Sequence, residues 1–275
     1  MLANGEMMAA SNASQKREVS AALGRDPRVV FAVVTTGAAD GDDAIADLPG
    51  VAVYLEESAG GRDACPTPSA PSAARTAIGG IDVAVLNAMD LEAAGRVLQE
   101  SELLLDRDPP AREAFEVRAS LSYLDFRESE VVFLRERAER PYADTLALKL
   151  SQLDELISRL REIRGLTPEA YVTDWKSAYV AERALEIAIG LCIDTARHVL
   201  AERRLPRPTT YRETFVIARD AGLLEPGVAE SLMRMCGFRN RVAHEGTNLD
   251  ATVVVRMVES GVEDLARFRD AVSRL

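Results

Sequence analysis

Short apolar runs of strand length mark the first half of the chain. Three runs rich in β-branched residues predict buried strands at Val29 to Val34, Val51 to Leu55 and Ile81 to Leu86. Helical patterns flank them at Ser14 to Leu23, Asp90 to Glu100 and Pro109 to Glu139. The Gly- and Pro-rich stretch from Glu56 to Gly80 predicts a long mobile loop. This half is therefore predicted to be a small α/β unit.

From Thr145 onward, apolar residues recur at helical spacing almost to the end of the chain. After a first amphipathic helix and a segment that Thr167 can cap, four helices are predicted: Glu182 to Glu202, Tyr211 to Ala221, Gly227 to His244 and Asp250 to Arg274. The second half is predicted to be an all-helical bundle. The change of pattern divides the chain into two domains, residues 1–140 and residues 141–275.

Charge is distributed unevenly between these halves. Residues 1–140 carry 24 acidic and 14 basic side chains, whereas residues 141–275 carry 20 and 19, within a total of −11. The acidic first half could shield a weakly basic nucleic-acid site in the second, or serve only as a solvated surface that favours solubility. Both interpretations stay open at the level of composition.

The apolar runs and the cysteines indicate the cellular compartment of the protein. The runs are short and interrupted by charge, which predicts neither a transmembrane span nor a secretory signal, and hence no membrane partner and a cytoplasmic protein. Cys65, Cys192 and Cys236 are far apart and lack metal-ligand spacing, so reduced thiols are expected rather than disulfides or a zinc site.

The stretch from Met235 to Gly246 concentrates chemistry late in an apolar helical run. It contains Arg239, Asn240 and His244, the last being one of only two histidines in the chain. An imidazole can accept and return a proton near neutral pH, and a guanidinium can hold a phosphate by two parallel hydrogen bonds. With RNA as substrate, His244 would deprotonate a ribose 2′-hydroxyl, Arg239 would stabilise the charged transition state and Asn240 would orient one of them.

Helix geometry sets a condition on this hypothesis. Residues five apart on an unbroken helix differ by about 140° around its axis, so Arg239 and His244 do not share a face. Either the helix frays before Gly246, the arginine wraps around it, or the motifs of two subunits meet across a two-fold axis. The structural alternative is a helix C-terminal pair favoured by the dipole, with Gly246 as the stop residue.

Charged residues in the helix Glu182 to Glu202 are candidate supports for that site. Arg183 and Asp194 are three turns apart and project to one side. Because a buried carboxylate needs a partner, Asp194 is expected first in a structural salt bridge and second as a group that orients Arg239 or His244. His198 is expected to be a partly exposed helix residue rather than a catalytic one.

The order of elements in residues 14–139 resembles the minimal nucleotidyltransferase (MNT) domain. Ile81 to Asn87 and then Leu91 to Asp106 resemble its third-carboxylate strand and the helix that follows. The family's Gly-Ser pair and Asp-x-Asp are replaced here by Thr36-Gly37 and Leu48-Pro49-Gly50, and only Asp82 matches a carboxylate of the family. Asp82 is therefore expected to be a remnant, since one carboxylate is a poor substitute for a two-metal site.

The second half resembles a HEPN domain of the HepT ribonuclease-toxin family. The resemblance is carried by four blocks in order: Glu182 to Ile189, Ile193 to Leu200, Tyr211 to Phe215 and Met235 to His244. It implies metal-independent endoribonuclease activity, a homodimer through the HEPN domain whose motifs line one cleft, and neutralisation by an MNT antitoxin. Arg239 and His244 match the family's catalytic pair, and Asn240 the adjacent polar position.

One departure from the family affects regulation. Family members often carry, two residues after the histidine, a tyrosine that the antitoxin modifies with AMP, and Gly246 stands there in this chain. With neither the acceptor nor an intact transferase, any restraint by the first half is expected to be intramolecular covering of the cleft. No cofactor or metal is expected. The alternative function is a non-catalytic dimerisation or interaction protein of a toxin–antitoxin or defence system. Nucleotidyltransferase activity is not expected, and it would require magnesium-dependent ATP turnover that is lost in Asp82→Ala.

Overall fold

The computed structural model describes residues 16–35, 50–56, 75–139, 141–245 and 249–275, apart from the side chains of residues 243–245. Contacts divide the chain into two compact units, residues 1–124 and residues 125–275. The division falls inside one long helix, so it does not coincide with the change of pattern near residue 140. The assignment of residues 1–140 and 141–275 as domains of two kinds stays a prediction.

The first unit is built on a mixed five-stranded sheet. After a helix over residues 16–23 (α1), its strands are β1 Val29–Thr35, β2 Val51–Leu55, β3 Arg75–Ile78, β4 Ile81–Val85 and β5 Ser101–Asp106. The spatial order is β3-β4-β2-β1-β5, with only the β2–β4 pair parallel. The three strands predicted from the apolar runs are confirmed.

Apolar side chains on the two faces of the sheet form two separate clusters. Phe31 and Tyr54 stack on one face and meet Phe115 of helix α3, Pro109–Glu139, which packs there with α2, Leu91–Gln99. On the other face, Leu23 of α1 joins Ala32 and Val53 in the second cluster. Alternation along the strands supplies both faces, as expected for a sheet buried on both sides.

Two strands correct the sequence interpretation. The loop predicted from Glu56 to Gly80 contains β3, which turns into β4 through Gly79 and Gly80, both at positive φ (58° and 83°). Positive φ at both central residues is what a tight hairpin turn requires, and glycine adopts it freely. The helix that the MNT resemblance extends to Asp106 ends at Gln99, because residues 101–106 pair with β1.

The second unit is helical, as predicted. After the C-terminal part of α3 its helices are α4 Tyr142–Glu162, α5 Pro168–Thr173, α6 Trp175–Glu202, α7 Tyr211–Asp220, α8 Pro226–Glu245, α9 Ala251–Arg256 and α10 Val262–Val272. Between α9 and α10, residues Met257–Gly261 form a π-helical turn, so the single final helix expected from the pattern is interrupted. Thr167 and Asp250 cap α5 and α9 through their side chains, which confirms both predicted caps.

Helix α6 forms the centre of the helical unit. Its Leu185, Ile189, Cys192 and Ile193 are at most 1% exposed and pack with apolar residues of α4, α7, α8 and α10. Cys192 and Cys236 are buried and do not form a disulfide with each other, whereas Cys65 lies outside the described residues. Within the described part of the chain, no helix is both long and apolar enough to cross a membrane.

Candidate active site

Arg239 lies in α8 and is held by two side chains from other helices. Its guanidinium forms a two-pronged ion pair with Asp125 of α3, in which Nη2 lies 3.2 Å from Oδ1 and Nη1 contacts Oδ2. The guanidinium carbon lies 4.8 Å from the centre of the Tyr211 ring. The Tyr211 hydroxyl in turn donates to Asp125 Oδ2 over 2.8 Å. The three groups therefore fix one another.

Burial and charge act in opposite directions on Arg239. Its side chain is only 15% exposed, and this desolvation disfavours the charged form, but the hydrogen bonds with Asp125 outweigh it and raise the pKa of Arg239. For Tyr211, whose charged form is the anion, burial raises the pKa. At neutral pH the site thus contains a charged guanidinium and a neutral phenol. Asp125 occupies the guanidinium edge that a phosphate would use.

Arg239 borders a cavity of about 350 Å³ whose charged lining is mostly acidic. Four carboxylates face it, from Asp125, Glu128, Glu136 and Asp194. Phe133 and Tyr211 supply aromatic wall. In this conformation the surroundings of Arg239 therefore oppose the entry of a polyanion. Among the described residues, no group of three or more His, Cys, Asp or Glu side chains is arranged to hold a metal ion.

Asp194 belongs to a charged network at the far side of this cavity. Lys149 Nζ lies 2.9 Å from Glu136 and 3.7 Å from Asp194, and His198 Nε2 lies 3.3 Å from Glu136. Burial raises the pKa of Asp194, and burial lowers the pKa of His198 despite its acidic neighbour Glu136. Asp194 is thus in a structural ion pair, but with a lysine from α4.

One expectation about α6 was wrong: His198 is not partly exposed but buried, at 4% exposure, against the ring of Phe133. Arg183 is 54% exposed and pairs with Glu186, three residues further along the helix, at 2.7 Å. A role for Asp194 or Arg183 in orienting the catalytic pair stays a prediction.

Helix α8 continues without a break past Arg239 as far as Glu245. Fraying before that point therefore does not bring Arg239 and His244 together. Asn240 is buried, at 6% exposure. The side chain of His244 lies outside the described part of the structure, as does Gly246.

The nucleotidyltransferase-like positions fall mostly outside the described residues, including Thr36, Gly37, Leu48 and Pro49. Asp82 is described and lies in β4, where it is 66% exposed and forms a 2.6 Å ion pair with Arg75 of β3. This partner gives Asp82 a local structural role.

Sequence reasoning missed Asp125. It lies 114 residues before Arg239, on a helix that the apolar pattern assigned to the other half of the chain. Tyr211 stood inside one of the blocks that resemble HepT, but nothing in the sequence indicated that its ring faces Arg239. A contact between distant helices leaves no local signal.

Residues 153–272 match the family described as Ribonuclease HepT-like. This chain thus carries a HepT-like HEPN domain in its C-terminal part.

Two relatives cover less than half of this chain but most of their own length. The mRNA nuclease HepT of Shewanella oneidensis is 24% identical over 129 residues, which are 47% of this chain and 96% of that protein. The tRNA nuclease HepT of Aphanizomenon flos-aquae is 21% identical over 115 residues, 42% of this chain and 78% of that protein. Among solved structures, the tri-AMPylated Shewanella oneidensis HEPN toxin in complex with MNT antitoxin gives a TM-score of 0.45 at 23% identity, covering 48% of this chain and 98% of that one.

Proposed function

We propose that this chain is a metal-independent endoribonuclease of toxin–antitoxin type. The similarity of residues 153–272 to HepT nucleases supports an RNA substrate. The observation that carries the proposal is the state of Arg239: a partly buried, permanently charged guanidinium, aligned by an aromatic ring and engaged on its two-pronged edge by an oxyanion. A phosphate binds arginine through the same two-pronged edge that the Asp125 carboxylate engages here.

The proposed chemistry is transfer of the phosphodiester to the ribose 2′-oxygen. His244 removes the 2′-hydroxyl proton, the oxygen attacks phosphorus, and the protonated imidazole then returns a proton to the departing 5′-oxygen. Arg239 binds the non-bridging oxygens, where charge develops in the transition state. Asn240, buried beside Arg239 on α8, supports the geometry of the pair.

A homodimer can bring an Arg239 and a His244 together, which a single continuous helix does not. Because α8 is continuous, the backbone positions of Arg239 and His244 differ by about 140° around the helix axis. Two copies of α8 related by a two-fold axis would allow the arginine of one subunit to face the histidine of the other. We place the active site at such an interface between HEPN domains.

The ion pair between Asp125 and Arg239 restrains the proposed ribonuclease activity in this conformation. Asp125 neutralises Arg239, and the carboxylates around the cavity repel RNA. For a phosphate to bind, the carboxylate must leave, at a cost of about 1.5–3 kcal/mol for a charged hydrogen-bonded pair. In this proposal residues 1–140 are a degenerate nucleotidyltransferase-like domain, and the helix that carries Asp125 is the means of restraint.

Cleavage of RNA by the full chain in the presence of EDTA tests the proposed function. His244→Ala is expected to slow cleavage by ~10²–10⁴-fold, the usual contribution of a general base. Arg239→Gln is expected to cost ~10²–10³-fold, as loss of a transition-state donor does. Arg234→Gln, an exposed arginine on the same helix, is the matched control and should leave the rate unchanged. Equal rates in all three variants would overturn the proposal.

A second candidate function is favoured by the acidic cavity. Four carboxylates around one paired arginine suit a non-catalytic interaction protein better than an open ribonuclease site. This alternative predicts no RNA cleavage by the wild type or by Asp125→Asn, with both chains folded. Cleavage that His244→Ala abolishes would exclude it.

A further inference from the structure

A second cavity in the helical unit has the opposite charge. It has a volume of about 300 Å³ and is lined by four arginines, Arg137, Arg197, Arg204 and Arg207. Among the residues that the structure describes, no carboxylate lines it. Such a concentration of guanidinium groups stands out in a chain whose net charge is −11. Arg239 does not contribute to it.

Arg197 is the buried residue among the four arginines that line this pocket. Its side chain is 3% exposed, and its guanidinium lies 4.8 Å from the centre of the Phe133 ring and 5.4 Å from that of Phe126. Nη1 donates to the Ser129 hydroxyl over 2.8 Å. Within the described part of the chain, no carboxylate lies within salt-bridge distance of it, and burial lowers the pKa of Arg197. A buried cation that lacks an ion pair is stabilised by a bound anion.

Arg204 is held at the pocket by an unfavourable backbone conformation. Its φ is +56°, the left-handed region that costs a non-glycine residue about 1 kcal/mol or more. Hydrogen bonds from the amides of Arg204 and Leu205 to the end of α6 impose this turn. Glycine is the usual residue at such a helix end, so the arginine is there at a cost to stability.

The two remaining arginines are Arg137 in α3 and Arg207 in the segment after α6. Arg137 of α3 donates to the carbonyl of Ala201 over 3.3 Å, and Arg207 pairs with Glu130 at 2.7 Å while staying 63% exposed. Both keep further N–H groups for a ligand. Apolar walls complete the pocket, from Phe133, Leu200, Leu205, Pro206 and Pro208.

We propose that this pocket binds a nucleoside monophosphate, either free or as the end of an RNA strand. Guanidinium groups match the oxygens of a phosphate, and the aromatic and apolar walls suit a planar base. The volume lies at the small end of the range for ligand pockets. The site is separate from Arg239, and it stands whether or not the chain cleaves RNA.

Isothermal titration of the full chain tests the proposal with AMP, adenosine, inorganic phosphate and a short single-stranded RNA carrying a 5′-phosphate. The test variant is Arg137→Gln/Arg204→Asn, since asparagine tolerates positive φ. The matched control, Arg135→Gln/Arg203→Gln, removes the same charge from neighbouring positions that do not line the pocket. Thermal melting followed by circular dichroism verifies folding, and Arg204→Asn alone replaces the double variant if that variant unfolds.

AMP is expected to bind more tightly than phosphate or adenosine. Its affinity should fall by about 100-fold in the test variant, or about tenfold in Arg204→Asn alone, and should stay unchanged in the control. Binding by AMP and not RNA identifies a free nucleotide as the ligand, and the reverse identifies an RNA end. No binding by either ligand, or equal loss in test and control variants, would overturn the proposal.

Discussion

Arg239 and Arg197 are a partly buried and a buried arginine of the same unit, and they have different partners. Both guanidinium groups lie against aromatic rings, which favours the cation while excluding water. Arg239 also binds Asp125, and its pKa is raised; Arg197 has a hydroxyl partner in Ser129, and its pKa is lowered by burial. The difference is one carboxylate, and it explains why one arginine is already neutralised while the other is suited to an anion.

At the residue scale, His198→Gln tests the buried charge network through the pH dependence of the free energy of unfolding. Burial holds the folded pKa of His198 below its ordinary value of 6.5, against the opposing pull of Glu136 and Asp194 and with Lys149 nearby. Below the unfolded pKa the unfolded chain binds a proton that the folded chain does not. The wild type is therefore expected to lose stability relative to the variant as pH falls below about 6.5, by at most ~1.4 kcal/mol per pH unit.

Urea unfolding of both chains between about pH 7.5 and 5.5 measures this difference. The variant keeps Glu136, Lys149 and Asp194, so their titration largely cancels in the comparison. A difference in stability that is constant across this window, or that grows in favour of the wild type at low pH, would contradict a depressed pKa for His198.

The sequence points to Arg239 and Asn240 as candidates because a motif is local, with its residues adjacent on one helix. It could not reveal Asp125 or Tyr211, which reach Arg239 only through the packing of α3 and α7 beside α8. His198 was misjudged for the same reason: its burial depends on Phe133, a residue of another helix. Partners across elements are set by tertiary packing and not by spacing.

At the element scale, two glycines within helices make a matched pair for testing packing. A Cβ at Gly95 of α2 would lie 2.2 Å from the carbonyl oxygen of Ala119 and 2.7 Å from Cβ of Tyr123, both on α3. A Cβ at Gly190 of α6 would meet nothing within 4 Å. Gly95→Ala is expected to destabilise the first unit by about 1–3 kcal/mol, as overpacking does.

Gly190→Ala is expected to stabilise the chain by about 0.5–1 kcal/mol, the gain in helix propensity. Thermal unfolding followed by circular dichroism compares both variants with the wild type. A Gly95→Ala variant as stable as the wild type, or more stable, would show that α2 does not pack as closely on α3 as the structure indicates.

The sequence predicts the helices well, because their periodic patterns are long. It predicts the short edge strands poorly. The stripe of Leu185, Ile189 and Ile193 is visible in sequence because helical period and burial agree over many residues. Strand β5 was missed because its outer face is exposed, with Leu103 at 51%, so its residues show no strand alternation. Strand β3 was hidden by the Gly-rich context that its turn requires.

At the scale of the whole molecule, subunit complementation tests whether the proposed site is shared. Arg239→Gln and His244→Ala chains are each expected to be inactive. If each site takes its arginine from one subunit and its histidine from the other, a mixed dimer regains one intact site. After unfolding and refolding an equal mixture, RNA cleavage should return to about a quarter of the wild-type rate. Differential tagging verifies that mixed dimers have formed. If these dimers show no cleavage, both residues of each site come from one subunit.

Asp125 takes the place of a phosphate on Arg239 if the chain is a restrained ribonuclease, and one rate comparison tests this most directly. Asp125→Asn keeps the shape and an acceptor for Tyr211 but removes the charge that neutralises Arg239. Its initial rate of RNA cleavage in EDTA is expected to exceed that of the wild type by about tenfold or more. Glu128→Gln, which removes a charge from the same helix and cavity without touching Arg239, should stay within about twofold of the wild type. A rate for Asp125→Asn equal to or below that of the wild type would contradict the restraint.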